Sequence, residues 1–122
     1  MLSVWSNRAS ADGSLAFVQY LAGHRSTVVT LTTFSCAGCR LLLSAGKDRQ
    51  LRVWRLDAAG QYAADAVVNK AHARIVWSSC FVGERGKEAW LATGSRDATV
   101  KLWCYDGEKR ELSVGVWLKR EA

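Results

Sequence analysis

"SAGKDRQLRVW", residues 44–54, is written a second time as "TGSRDATVKLW", residues 93–103. Each copy opens on a hydroxyl residue and a small residue. A basic residue and an aspartate follow within a tight turn. Two residues later comes an apolar-basic alternation that ends in tryptophan. Asp48 and Asp97 lie 49 residues apart, as do Trp54 and Trp103, and His24 and His72 lie 48 apart. Three markers at nearly one spacing identify an internal repeat, somewhat longer than the ~40–45 residues of one four-stranded propeller blade. Stepping back by the same interval from Trp54 reaches Trp5, in "LSVW", so a partial third copy stands at the N-terminus.

Between the markers the sequence reads as short strands and turns. "TVVTLTTF" (27–34) is β-branched and apolar, which predicts a buried inner strand. "RLLLSA" (40–45) and the alternating "QLRVWRL" (50–56) follow, with "DAVVNKA" (65–71) as the outer strand. The second unit repeats this order in "RIVWSSCFV" (74–82), "AWLATG" (89–94), "TVKLWCY" (99–105) and "ELSVGVWL" (111–118). "FVQYLAG" (17–23) reads as the outer strand of the truncated first unit. No segment carries a helical period.

Bulk properties bound the rest. The chain has 122 residues, 49% of them hydrophobic, an ordinary globular composition for at most one domain. No apolar run approaches the ~20 residues that span a bilayer, and "MLSVWSNRASADG" lacks the pattern of a secretory leader. The expectation is an intracellular chain, cytoplasmic or also nuclear, with free thiols at Cys36, Cys39, Cys80 and Cys104. The net charge of +6 raises the question of nucleic acid, although the cations form no block.

Motifs for chemistry are sparse. "CAGC" (36–39) offers two thiols, where a structural zinc takes four ligands, and its glycine suits a hairpin turn. A thiol or zinc module there predicts metal that is lost on Cys39→Ser. "AGKD" lacks the spacing of a phosphate loop. A hydrolase built from Ser44, His24 and Asp48 would lack the Gly-x-Ser-x-Gly elbow and a pair of oxyanion donors. No catalytic residue, cofactor, small-molecule substrate or metal site is expected, and the chain reads as a non-enzyme.

The paired phrases, "AGH" with "SAGKDRQLRVW" and "KAH" with "TGSRDATVKLW", resemble the WD-repeat β-propeller family over nearly the whole chain. The resemblance implies an all-β fold: residues 1–23 as the outer strands of a truncated blade, then four-stranded blades at 24–71 and 72–122. It also implies a hydrogen-bonded tetrad in each blade, His24, Ser44, Asp48 and Trp54 in one and His72, Thr93, Asp97 and Trp103 in the next. These would be structural, since a buried indole N–H and a buried hydroxyl each need a partner. The aspartate that often follows the family's Trp is absent here, and Arg55 and Cys104 stand in its place.

In a propeller the histidine loop and the aspartate turn share one face. That face would gather Arg25, Lys47, Arg49, Arg74 and Arg96, a candidate surface for an acidic partner or RNA phosphates. RNA recognition adds stacking aromatics, and Trp77, the nearest, is expected in the core. "KAHARIVWSSCFV" with "TGSRDATVKLW" further resembles the C-terminal blades of the Elongator complex subunit 2 family. His72, Arg74, Ile75, Trp77, Ser78 and residues 94–97 carry that likeness. It implies a scaffold that joins other protein subunits in the complex modifying tRNA wobble uridines, with weak tRNA contact at most. The alternatives are another WD-repeat adaptor and a propeller that contacts RNA through its basic face. Two blades and a remnant do not close a ring of four to eight. Trp5, Trp54, Trp103 and Trp117 are therefore expected to lack a complete home, with the missing blades supplied by a longer chain or by a partner.

Overall fold

A computed structural model describes residues 2–6, 16–21, 23–24 and 26–119. It is all-β, with strands arranged as propeller blades. Ten strands occur among the described residues: β1 (Leu2–Ser6), β2 (Ala16–Leu21), β3 (Val28–Cys36), β4 (Cys39–Gly46), β5 (Leu51–Leu56), β6 (Tyr62–Val68), β7 (Val76–Arg85), β8 (Glu88–Ser95), β9 (Thr99–Asp106) and β10 (Glu111–Lys119). β1 pairs with β2 alone, while β3-β4-β5-β6 and β7-β8-β9-β10 are antiparallel meanders of four strands.

The turns follow from local chemistry. Cys36 and Cys39 face each other across the β3–β4 hairpin, and Ala37 and Gly38 both take positive φ (52° and 79°). A two-residue hairpin of this hand matches the twist of its strands. The turns between β4 and β5 and between β8 and β9 are built alike. Arg49 and Ala98 take φ of 64° and 66°, and Asp48 and Asp97 each accept the amide two residues on, at 3.1 and 2.9 Å. A short carboxylate that bonds its own downstream backbone is what an aspartate supplies in a turn. Gly46 enters the first turn because a Cβ there would stand 2.1 Å from the Thr27 carbonyl oxygen.

The core lies between the two blades. Leu41, Leu43, Ala45, Leu51 and Val53 of the first pack with Val76, Ala89, Leu91, Trp103 and Tyr105 of the second. Phe34 stacks on Phe81 and meets Tyr105 edge-on, with ring centroids 6.1 and 5.9 Å apart. At the inner edge Ser79 bonds both Thr30 and Thr32 (2.8 and 2.6 Å). The other face of the first blade holds Leu42 and Trp54 with Val28 and Tyr62.

Four expectations change. Trp54 and Trp103 are each only 3% exposed, so both have a complete home; Trp5 and Trp117 have side chains outside the described residues. Each indole is sealed by its own hydroxyl partner and the neighbouring strands, without a closed ring. β3 is not buried throughout: Val29 and Leu31 are exposed, because among the described residues only one flank of this strand packs on a neighbouring blade. Strand ends move as well. β6 begins at Tyr62 and stops before residues 69–71, and β7 runs on to Arg85 through two bulges that absorb extra residues. Trp77 is not core. It sits in the bulge between Val76 and Ser78 and is 54% exposed, since the bulge turns it off the pleat.

Candidate functional site

The repeated phrase brings each set of four side chains into one chain of hydrogen bonds. In the first blade the Trp54 indole N–H donates to Ser44 Oγ (2.8 Å), Ser44 meets His24 Nε2 (2.6 Å) and His24 Nδ1 meets Asp48 (2.8 Å). In the second, Trp103 donates to Thr93 Oγ1 (2.8 Å), Thr93 meets His72 Nε2 (2.7 Å) and His72 Nδ1 meets Asp97 (3.2 Å). The donation has a direction. The hydroxyl, taking the indole proton, gives its own to Nε2, and Nδ1–H goes to the carboxylate. For His72 this order suits a neutral imidazole, whose Nε2 is free to accept. Burial accordingly holds the His72 pKa below its usual value, against the opposing pull of Asp97.

Asp97 is the most heavily bonded member of the second tetrad. It accepts from the Ala73 and Thr99 amides (2.9 Å each), from the Thr99 hydroxyl and from His72. Desolvation works to raise its pKa, but these donors outweigh it and the carboxyl stays far below its ordinary range. Thr99, which also meets His72 Nδ1 at 2.9 Å, escaped the sequence reading. Its counterpart in the first blade is Gln50, whose amide donates to Asn69 instead, so the period gave no signal.

Ser44, His24 and Asp48 have the bonding order of a hydrolase triad. The Ser44 hydroxyl is nonetheless fully buried and already engaged by Trp54, so a substrate cannot reach it. The thiol of Cys36 is buried between blades, 3.1 Å from the Lys87 carbonyl oxygen, and burial raises its pKa. Cys104 is pushed up to about 11 by desolvation and by Glu88. Among the described residues no three His, Cys, Asp or Glu side chains gather as a metal site would require, and no helix is long and apolar enough to cross a membrane.

A second network, invisible in the repeat, ties the blades together. Arg55 donates to Asp65 (3.3 Å), to Tyr105 (2.9 Å) and to the Gly107 carbonyl (3.3 Å), and the Tyr105 hydroxyl donates to Asp65. Desolvation is the largest cause holding the Tyr105 phenol far above its usual range, and the adjacent Asp65 adds to it. Arg55 thus uses the position after the tryptophan to bridge blades.

Of the cations expected on one face, Lys47, Arg74 and Arg96 line a single open depression of about 410 Å³ with Ile75. Arg49 lines a separate one beside Gln50, Asn69 and Lys70. Arg25 lies outside the described residues.

The sequence model of the WD domain, G-beta repeat, matches residues 15–55 and 67–104. The chain belongs to the WD-repeat family. Within it, the chain is 41% identical over 85 residues to transducin beta-like protein 3 of Bos taurus, covering 70% of this chain and 10% of that protein. It is 34% identical over 92 residues to Elongator complex protein 2 of Dictyostelium discoideum (73% and 10%). It is 32% identical over 99 residues to the probable cytosolic iron-sulfur protein assembly protein Ciao1 of Culex quinquefasciatus (75% and 25%). The chain therefore spans a tenth to a quarter of these curated relatives. Elongator complex protein 2 is one WD-repeat relative among several that match as well, so the likeness to that subunit does not single it out.

Proposed function

We propose that this WD-repeat chain is a non-catalytic scaffold that assembles other proteins, most specifically in the manner of Elongator complex protein 2. One observation carries the scaffold reading. Leu41, Leu43, Leu51 and Val53 are fully buried beneath the second blade. The residues 49 positions on, Trp90, Ala92, Val100 and Leu102, occupy the same face of the second blade and are only partly covered, Val100 being 47% exposed. Val116 and Leu118 of β10 extend this apolar flank. In a propeller such a row is the surface on which a further blade packs, whether that blade belongs to the same chain or to another protein. The polar constellations are meanwhile consumed in holding the blades.

The Elongator-type reading, with its role in wobble-uridine modification of tRNA, draws its support from "KAHARIVWSSCFV" and from the match to the Dictyostelium protein. The second reading is another WD-repeat adaptor, supported by equal likeness to transducin beta-like protein 3 and Ciao1. A location in cytoplasm or nucleus accompanies both, and imaging a tagged chain tests it. The deciding experiment is affinity purification of the tagged protein from its own cells. Elongator subunits in the eluate, lost with Leu102→Glu, support the first reading; a different stable set of proteins replaces it with the second. Hydrolase activity abolished by Ser44→Ala would refute both.

A further inference from the structure

The face that carries the two aspartate turns is electrically one-sided. Its described loop residues include Lys47, Arg49, Lys70, Arg74 and Arg96, against two carboxylates, Asp48 and Asp97. Both carboxylates point inward, into their histidines and their own turn amides. The opposite face is mixed: Asp57, Glu88, Asp106 and Glu108 stand there beside Arg85, Lys87 and Lys109, and Lys87 pairs with Glu108 at 3.2 Å. Among the described residues, an anion approaching the first face therefore meets positive charge with no exposed carboxylate to repel it.

The exposed bulge residue Trp77 adds a second observation. It lines a depression of about 380 Å³ with Gly94, Ser95, Arg96, Ala98, Thr99 and Val100. Arg96 also lines the neighbouring depression with Lys47 and Arg74. One guanidinium thus belongs to both hollows, and an accessible indole stands next to a row of three cations. An acidic peptide uses the cations through its carboxylates but engages the indole only where it also carries an apolar side chain at the right place. A single strand of nucleic acid uses both, because every unpaired base has a face to stack and every phosphate a charge to neutralise.

We propose that this rim binds single-stranded RNA, with Lys47, Arg74 and Arg96 on phosphates and Trp77 stacked against one base. The site shares Val100 with the apolar flank and does not depend on the identity of the complex the chain serves. The preference is for unpaired strands, since a base inside a duplex cannot reach the indole.

The test is fluorescence anisotropy of the whole 122-residue chain with a fluorescein-labelled oligouridylate of about a dozen nucleotides. Three phosphate contacts predict a slope of log affinity against log salt of about −2, at roughly 0.7 per contact for a single strand. Arg74→Ala with Arg96→Ala should make that slope shallower by about 1.4. Trp77→Ala should weaken binding roughly 5- to 150-fold while leaving the slope unchanged, as loss of one stacked base does. Lys109→Ala, on the opposite face, should bind like the unaltered chain, and all four substituted residues are exposed, so near-UV circular dichroism should be preserved. A Trp77→Ala protein of unchanged affinity overturns the proposal. Displacement of the RNA by oligoglutamate at equal charge concentration also overturns it and assigns the face to an acidic protein.

Discussion

Replacing Asp97 by alanine removes the most connected group of the second blade. The carboxylate accepts from His72, from the Ala73 and Thr99 amides and from the Thr99 hydroxyl. Its side chain is 12% exposed and that of His72 is fully buried. A hydrogen bond to a charged group contributes about 1.5–3 kcal/mol net, and a donor left dry costs about 1–3. Ala73 is exposed and recovers a water, so its bond is largely replaced. His72 and Thr99 cannot recover so readily. The expected loss is about 2–4 kcal/mol, a large share of a typical stability of 5–15. Urea unfolding followed by tryptophan fluorescence measures it. The pH dependence adds a signature. The folded pKa of Asp97 lies below its ordinary 3.8, so its contribution is complete above that value and is lost as pH falls below it. Asp97→Asn should therefore show a shallower acid limb than the unaltered chain, by up to about 1.4 kcal/mol per pH unit. A loss under 1 kcal/mol for Asp97→Ala, or acid limbs that superimpose, would refute the clamp.

Three further outcomes follow from the same geometry. His72 is held below its free value of 6.5 by burial, so the unfolded chain takes up its proton first. Stability should fall as pH drops below about 6.5, and His72→Gln should lose that part of the profile. Tyr105→Phe leaves buried Asp65 and its Arg55 partner one hydroxyl short; about 1–3 kcal/mol should be lost, and much less when Arg55→Met is already present, as a double-mutant cycle in urea reads. Gly46→Ala forces a Cβ into the Thr27 carbonyl and should lower the melting temperature clearly, whereas Gly83→Ala, which meets open space, should change it little by calorimetry.

Likeness to the WD-repeat family pointed to the two tetrads; the sequence by itself determined the repeat and, through it, the strands and their turns. Those are local or periodic facts. Asp48 and Asp97 hold the turns they sit in, and Trp54 and Trp103 alternate on strands whose period is two. It did not determine what lies between blades. Arg55, Asp65 and Tyr105 come from different strands with no shared spacing, and only the packing of one sheet on another brings them together. The fate of Trp77 was also illegible. An apolar residue in a β-branched run reads as core, but one extra residue at the start of β7 rotates it off the sheet and onto the rim. Exposure of the flank at Trp90, Val100 and Leu102 was likewise decided by the tertiary structure, because positions equal in sequence are buried or open according to which side of a blade has a neighbour. Hydrogen bonds within a turn are fixed by residues close in the chain, while burial depends on what the folded chain places alongside.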